Sequence, residues 1–155
     1  MSLPVLPLKG TCRCGDVGVE LTAPPLMTAA CHCTGCQKMS ASAFSITAMV
    51  PPDGFAVTRG QTERGGLGEG PIDHRCCPRC LTWMFTRIEG VDGFINIRPT
   101  MFDDTSWFTP FIETMTQEKP QLPRLSADGR PAGIDCRIRR DGLIAQGNQC
   151  GSPGR

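Results

Sequence analysis

Between positions 31 and 36 the chain reads Cys31-His32-Cys33-Thr34-Gly35-Cys36, three thiols within six residues. That density exceeds what a core uses, where a free cysteine serves as a small, isolated hydrophobe. Soft ligands gathered on one tight loop are instead the chemistry of a bound metal ion. Two more groups flank the loop at long range, Cys12-Arg13-Cys14 and Cys77-Pro78-Arg79-Cys80, so seven of the ten cysteines are clustered. Cys76, Cys136 and Cys150 stand alone and read as small buried hydrophobes.

Thiols stay free for metal only in a reducing compartment. Met1 to Gly10 has no basic residue ahead of its apolar positions and is broken by Pro4 and Pro7, unlike a secretory signal, and no apolar run approaches membrane-spanning length. The expectation is a cytoplasmic chain with no membrane partner. A net charge of +1 with both signs interspersed, and only 6% aromatic residues, argues against a nucleic-acid surface. A length of 155 residues fits one domain with a modest core.

Strand patterns dominate. Val17, Val19 and Leu21 alternate with Gly18 and Glu20 up to Pro24-Pro25, and Phe44, Ile46, Ala48 and Val50 alternate with Ser45, Thr47 and Met49 up to Pro51-Pro52. Phe55 to Thr58, Trp83 to Phe85, Phe94 to Arg98 and Trp107 to Met115 read as further strands, the last two joined by an Asp103-Asp104 turn. Met27 to Ala30 reads as a connecting segment, Ala30 to Ala43 as room for one short helical turn, and Arg64 to Pro71 as a glycine-rich loop without the strand-loop-helix context of a phosphate site. From Lys119 onward there is no aromatic residue and Pro, Gly and Arg recur, so residues 124–155 are expected to form a poorly ordered or atypical tail behind a domain spanning 8–123.

Cysteine arithmetic then divides the ligands. Cys12 and Cys14 taken with Cys77 and Cys80 make a closed four-thiolate shell, which leaves no place for substrate and suits a structural zinc. Tetrahedral zinc requires sulfurs about 3.8 Å apart, from bonds of about 2.3 Å, so the chain must bend between Cys12 and Cys14, and Gly15 beside them permits it. Arg13, Arg75 and Arg79 lie near enough in sequence to help balance the negative charge of such a shell. Cys31, Cys33 and Cys36 supply three ligands, the number expected of a reactive zinc with one open position for water or a substrate thiol. His32 is a candidate fourth ligand, although in an extended backbone it points opposite to its neighbours. His74 reads as a structural or surface residue.

The three cysteine groups, in the contexts Gly10-Thr11-Cys12-Arg13-Cys14-Gly15, Cys31-His32-Cys33-Thr34-Gly35-Cys36-Gln37-Lys38 and Arg75-Cys76-Cys77-Pro78-Arg79-Cys80, resemble the glutathione-dependent formaldehyde-activating (GFA) or centromere-protein-V-type family over roughly Leu8 to Pro123. The resemblance implies a mainly β fold, an Mss4-like β-tent of small antiparallel sheets around a structural zinc, with little helix. It implies two zinc ions per chain: a structural one on Cys12, Cys14, Cys77 and Cys80, and a catalytic one on Cys31, Cys33 and Cys36. The three-ligand site is expected to fill less completely, because its exposed thiols oxidise readily. The implied activity is that of a carbon–sulfur lyase, an S-hydroxymethylglutathione synthase acting on a glutathione-like thiol and a small aldehyde; a homodimer is compatible with it. A non-catalytic zinc scaffold for a partner is the competing reading. The chain departs from the family pattern at Cys76 for Phe, Leu81 for Gly and near Ala41 for Gly.

Overall fold

The structure is a computed structural model that describes residues 4–121; the expected tail, with Cys136 and Cys150, lies outside the described residues. Ten strands are present among the described residues: β1 (Leu8–Thr11), β2 (Gly18–Leu21), β3 (Met27–Cys31), β4 (Ser45–Val50), β5 (Phe55–Arg59), β6 (Glu63–Arg64), β7 (Ile72–Cys76), β8 (Trp83–Ile88), β9 (Val91–Ile97) and β10 (Ile112–Thr114). One helix, α1 (Thr34–Ser40), follows the triple-cysteine loop. The fold is therefore mainly β with little helix, as the sequence leads one to expect.

β1, β2 and β5 form a three-stranded antiparallel sheet, and the other seven form a second sheet in the order β10-β3-β4-β9-β8-β7-β6. Val17, Val19 and Leu21 from the first sheet meet Ala48, Val50, Met84, Phe85, Ile95 and Ile97 from the second, and this is where the core sits. The alternation read from residues 44 to 50 has a further consequence. Val50 and Ala48 are fully buried in the core, whereas Ile46 and Phe44, on the same strand face by the two-residue period, line a cavity.

Two elements differ from the sequence expectation. Met27–Cys31 is a full strand, because Thr28, Ala29 and Ala30 are all buried with β4 on one side and β10 on the other. A strand covered on both faces loses the period-two signature that would reveal it. Trp107 to Met115, by contrast, contributes only the three residues of β10. Trp107 is buried in the core and its indole N–H donates to the Asp104 carbonyl, and Pro110 has no N–H for a ladder. β10 also lies parallel to β3, the one parallel pair among the described strands.

β1 meets the turn that follows β9 at Gly10. A Cβ there would stand 2.4 Å from the Met101 carbonyl oxygen, so only glycine allows the bridge between Gly10 and Phe102. The opposite situation holds at Leu81, which is 74% exposed yet adopts φ +58° just after the Cys77–Cys80 turn. Left-handed backbone costs a branched residue about 1–2 kcal/mol. Glycine's greater unfolded-state freedom takes back roughly 0.5–1 kcal/mol. Leu81→Gly is therefore expected to stabilise the metal-loaded protein by about 0.5–1 kcal/mol in a denaturant titration, whereas a loss of stability would mean that Leu81 is held there by its cavity contacts.

Candidate metal centre and adjoining cavity

β1 ends at Thr11, and the following turn reverses so tightly that the Cys12 and Cys14 sulfurs stand 3.5 Å apart. Between β7 and β8, Cys77 and Cys80 occupy a second tight turn, closed by Cys77 N–H to the Thr82 carbonyl and Leu81 N–H to the Cys77 carbonyl, each 3.0 Å. The Cys14 and Cys77 sulfurs are 3.7 Å apart, and all four lie within 4.8 Å of one another. These separations are those of a tetrahedral thiolate shell around zinc. Backbone donors already aim at it: Val17 N–H reaches the Cys12 sulfur at 3.3 Å.

Without a cation, four such sulfurs cannot all be ionised, and the protonation pattern shows the strain. Burial pushes the Cys80 thiol up, but the Thr82 hydroxyl and backbone N–H groups outweigh it and bring the group down to about 5. Burial likewise raises Cys12, and the Val17 N–H with the neighbouring thiols turns the net effect downward. At Cys14 the Asp16 backbone N–H favours the thiolate, yet burial and the adjoining sulfurs prevail and push it up to about 12. A divalent ion removes this conflict by holding every sulfur as thiolate. Arg79 stands beside the cluster, its guanidinium donating to both oxygens of Asp16 at 3.1 and 3.2 Å. Arg75 instead turns to Thr62 and Asp73.

The second cluster brings together Cys31, Cys33 and Cys36, again within 4.8 Å of one another, and among the described residues no fourth His, Cys, Asp or Glu joins the group. Cys31 ends β3, and Cys33 caps α1, its sulfur accepting from the Cys36 N–H at 3.3 Å. Position i and i+3 thus meet across one helical turn. Burial pushes the Cys36 thiol up, the Ser45 hydroxyl opposes it, and the neighbouring sulfurs carry it to about 12; Cys31 moves down, as Thr114 and backbone donors outweigh its burial.

His32 is not in the sulfur group. Its ring is buried against Phe44 with centroids 5.5 Å apart, and its Nε2 lies 3.5 Å from a Glu113 oxygen. His74 donates or accepts at the Thr86 hydroxyl, 3.0 Å away, and packs edge-on against Trp83. Cys76 is buried, as a lone cysteine was expected to be.

Several residues at this site leave no trace in the cysteine pattern. β10 and the turn after it clamp the triple-cysteine loop: His32 N–H donates to the Thr114 carbonyl at 3.0 Å, and Thr34 N–H to a Glu118 carboxylate oxygen at 2.8 Å. A cavity of about 480 Å³ opens beside the loop, walled by Phe44, Ile46, Leu81, Thr82, Trp83 and Arg98. Such a volume lies in the range of small-molecule sites, roughly 300–1,000 Å³. Ser45, which also lines it, stands close enough to Cys36 for its hydroxyl to favour the thiolate and so links the cavity to the cluster. In the sequence Arg98 stands only as the last residue of the expected strand Phe94 to Arg98.

A family model described as glutathione-dependent formaldehyde-activating enzyme matches residues 7–118. Three fungal relatives are provisionally named glutathione-dependent formaldehyde-activating enzymes. The Sordaria macrospora protein is 33% identical over 95 residues, covering 57% of this chain and 40% of its own. That of Podospora anserina is 26% identical over 125 residues, covering 76% and 59%. The Penicillium rubens protein is 32% identical over 123 residues, covering 71% and 63%. The chain therefore spans less than two thirds of the length of these relatives. Among solved structures, a Rhodobacter sphaeroides protein matches with a TM-score of 0.52 at 19% identity, over 69% of this chain and all of its own, a likeness of fold.

Ligand count predicts how the two clusters would hold a divalent ion such as zinc. Thiols must shed protons to bind it, so affinity falls as pH falls, and three ligands release before four. Acidifying the zinc-loaded protein in the presence of a chromophoric chelator is expected to free zinc in two steps, the first accompanied by exposure of Cys31, Cys33 and Cys36 to alkylation. A single step releasing both ions together would contradict two independent centres.

Proposed function

From its membership of the glutathione-dependent formaldehyde-activating family, to which the chain belongs over residues 7–118, we propose that it is a zinc-dependent carbon–sulfur lyase-type enzyme joining a glutathione-like thiol to a small aldehyde. The observation that carries this reading is the contrast between the clusters: one gathers four sulfurs, and the other three beside a cavity. In the proposal Cys12, Cys14, Cys77 and Cys80 hold a structural zinc, and Cys31, Cys33 and Cys36 a catalytic one.

When bound by three thiolates, zinc supplies a soft anchor for a fourth sulfur and lowers the pKa of that thiol. The remaining work belongs to the protein. Its cavity wall of Phe44, Ile46 and Trp83 offers an apolar seat that would hold the aldehyde close to the sulfur, where proximity supplies much of the rate. The carbon–sulfur bond forms as the sulfur lone pair adds to the carbonyl carbon. The carbonyl π electrons move to oxygen, and the proton given up by the thiol ends on that oxygen to complete the hydroxymethyl thioether. The Ser45 hydroxyl favours the thiolate form of Cys36, the form in which it would act as a ligand.

Two measurements test the reading together. The parent purified under reducing conditions is expected to carry two zinc ions, and Cys33→Ser one, with its circular dichroism unchanged. NMR exchange between formaldehyde and its thiol adduct is expected to be accelerated by the parent and slowed at least about 100-fold in the variant, a difference of about 2.7 kcal/mol in transition-state stabilisation. A parent that holds two zinc ions but accelerates no thiol–aldehyde exchange would instead support the scaffold reading.

The closed site is tested separately. Cys80→Ser removes one of four ligands from the turn entering β8 and is expected to yield insoluble or unfolded chain even in excess zinc. Recovery of a soluble variant with the parent's thermal midpoint would count against a structural role.

A further inference from the structure

Arg98 is buried to 8% exposure, and among the described residues no carboxylate lies within ion-pair distance of it. A buried charge without a counter-ion is costly, and folded proteins keep one where a ligand completes it. Its setting is built with care. The guanidinium carbon sits 3.5 Å from the centre of the Trp83 ring, Nη1 donates to the Ile46 carbonyl at 3.0 Å and to the Ser45 hydroxyl at 3.4 Å, and Nη2 donates to the Thr86 hydroxyl at 3.3 Å. Thr86 is itself held by the Trp83 indole N–H at 3.0 Å. These bonds engage three of the five N–H donors. Those left are one on Nη2 and that of Nε, which is buried with no partner. Because Nε is enclosed, the remaining Nη2 N–H is the donor that a ligand in the cavity would meet, a charge-assisted contact suited to a carboxylate oxygen.

The cavity supplies the rest of the argument. Arg98 is the one charged residue in its lining, and the other walls are apolar or neutral, with no acidic group to receive an ammonium. Burial lowers the Arg98 pKa to about 10, which leaves it cationic at neutral pH. We propose that Arg98 is the substrate-recognition residue of this cavity, binding the carboxylate of an acidic thiol whose sulfur end reaches toward Cys31, Cys33 and Cys36. This deepens the thiol–aldehyde reading and rests on it for the identity of the sulfur end, but not for the carboxylate.

The substrate class that follows is a thiol carrying a carboxylate; a neutral thiol lacks the contact and an aminothiol is repelled by Arg98. The rival role for Arg98 is that of a counter-charge to the thiolate cluster, with no ligand of its own. The two roles part in a binding experiment on the zinc-loaded full chain, followed by fluorescence of Trp83. Probes are 3-mercaptopropionate, 2-mercaptoethanol, cysteamine and propionate.

The parent is expected to bind 3-mercaptopropionate at least about tenfold more tightly than 2-mercaptoethanol, since a charge-assisted contact distinguishes them, and cysteamine most weakly. Propionate is expected to bind and to compete with 3-mercaptopropionate. In Arg98→Met the preference for the acid disappears while zinc content stays at the parent's level. Should that variant fail to fold, Ser42→Asp places a carboxylate on the exposed rim of the same cavity and is expected to weaken 3-mercaptopropionate while sparing 2-mercaptoethanol. Equal binding of acid and alcohol by the parent would overturn the proposal. So would an Arg98→Met protein that keeps its preference for the acid, or one that loses zinc from the triple-cysteine site without changing that preference. Propionate binding that depends on Arg98, found in a protein with no thiol–aldehyde turnover, would uphold the carboxylate site and remove the reaction instead.

Discussion

Mutual repulsion among crowded sulfurs is the constraint on which this fold turns. Cys12 and Cys14 follow the last residue of the three-stranded sheet's first strand, and Cys77 and Cys80 sit in a turn of the seven-stranded sheet. Their sulfurs nevertheless meet at 3.5 and 3.7 Å. Apolar packing alone gives no reason to hold four ionisable thiols so close, whereas a bound cation would let all four share one place as thiolates. The core of Val19, Leu21, Val50, Ile95 and Ile97 lies between the same two sheets. Sulfur cluster and core therefore sit at the same junction, which suits a domain whose core is modest for its length.

The parts of this molecule that were readable from sequence are those whose geometry is enforced locally. Metal ligation demands short, fixed spacings, so the two clusters could be assigned from Cys12-x-Cys14, Cys31-x-Cys33-x-x-Cys36 and Cys77-x-x-Cys80 without any knowledge of topology. Strands with one wet face, such as residues 17 to 21, announced themselves by alternation. β3 did not, because Thr28, Ala29 and Ala30 are enclosed on both faces. Nor did the role of β10, because its parallel pairing with β3 places Glu113 and Thr114 beside a loop more than eighty residues away. Arg98 illustrates the same limit more sharply. Its meaning lies in Trp83, Ser45 and Thr86, contributed by two other strands, and in the absence of a carboxylate that only the assembled structure can reveal.

The departures from the family pattern gain a physical reading from the coordinates. Leu81 and Ala41 occupy left-handed backbone at φ +58° and +48°, the conformation for which glycine is suited. The chain tolerates side chains at both positions because each is exposed, and Leu81 uses its side chain to extend the cavity wall. Cys76 is different in kind. Its sulfur packs against Gly65, where an added Cβ would come within 2.5 Å, so a larger residue there would have to displace the loop that follows β6.

The two centres are not independent modules, since the turn that holds Cys77 and Cys80 runs directly into Leu81, Thr82 and Trp83, three residues of the cavity wall. Trp83 in turn supports Arg98 from beneath and fixes Thr86, whose hydroxyl accepts from Arg98 and the indole and can donate its own proton to His74. Loosening the closed thiolate turn would therefore disturb one side of the seat of the cationic group, while its other side, the Ser45 hydroxyl and the Ile46 carbonyl, belongs to β4. The span between sulfur cluster and cationic contact is then fixed on β4, whose Ser45 pairs with Cys31 at the end of β3. In the proposed chemistry that span decides which acidic thiols can touch both ends of the site, so the strand that carries the cavity wall also sets the length of substrate.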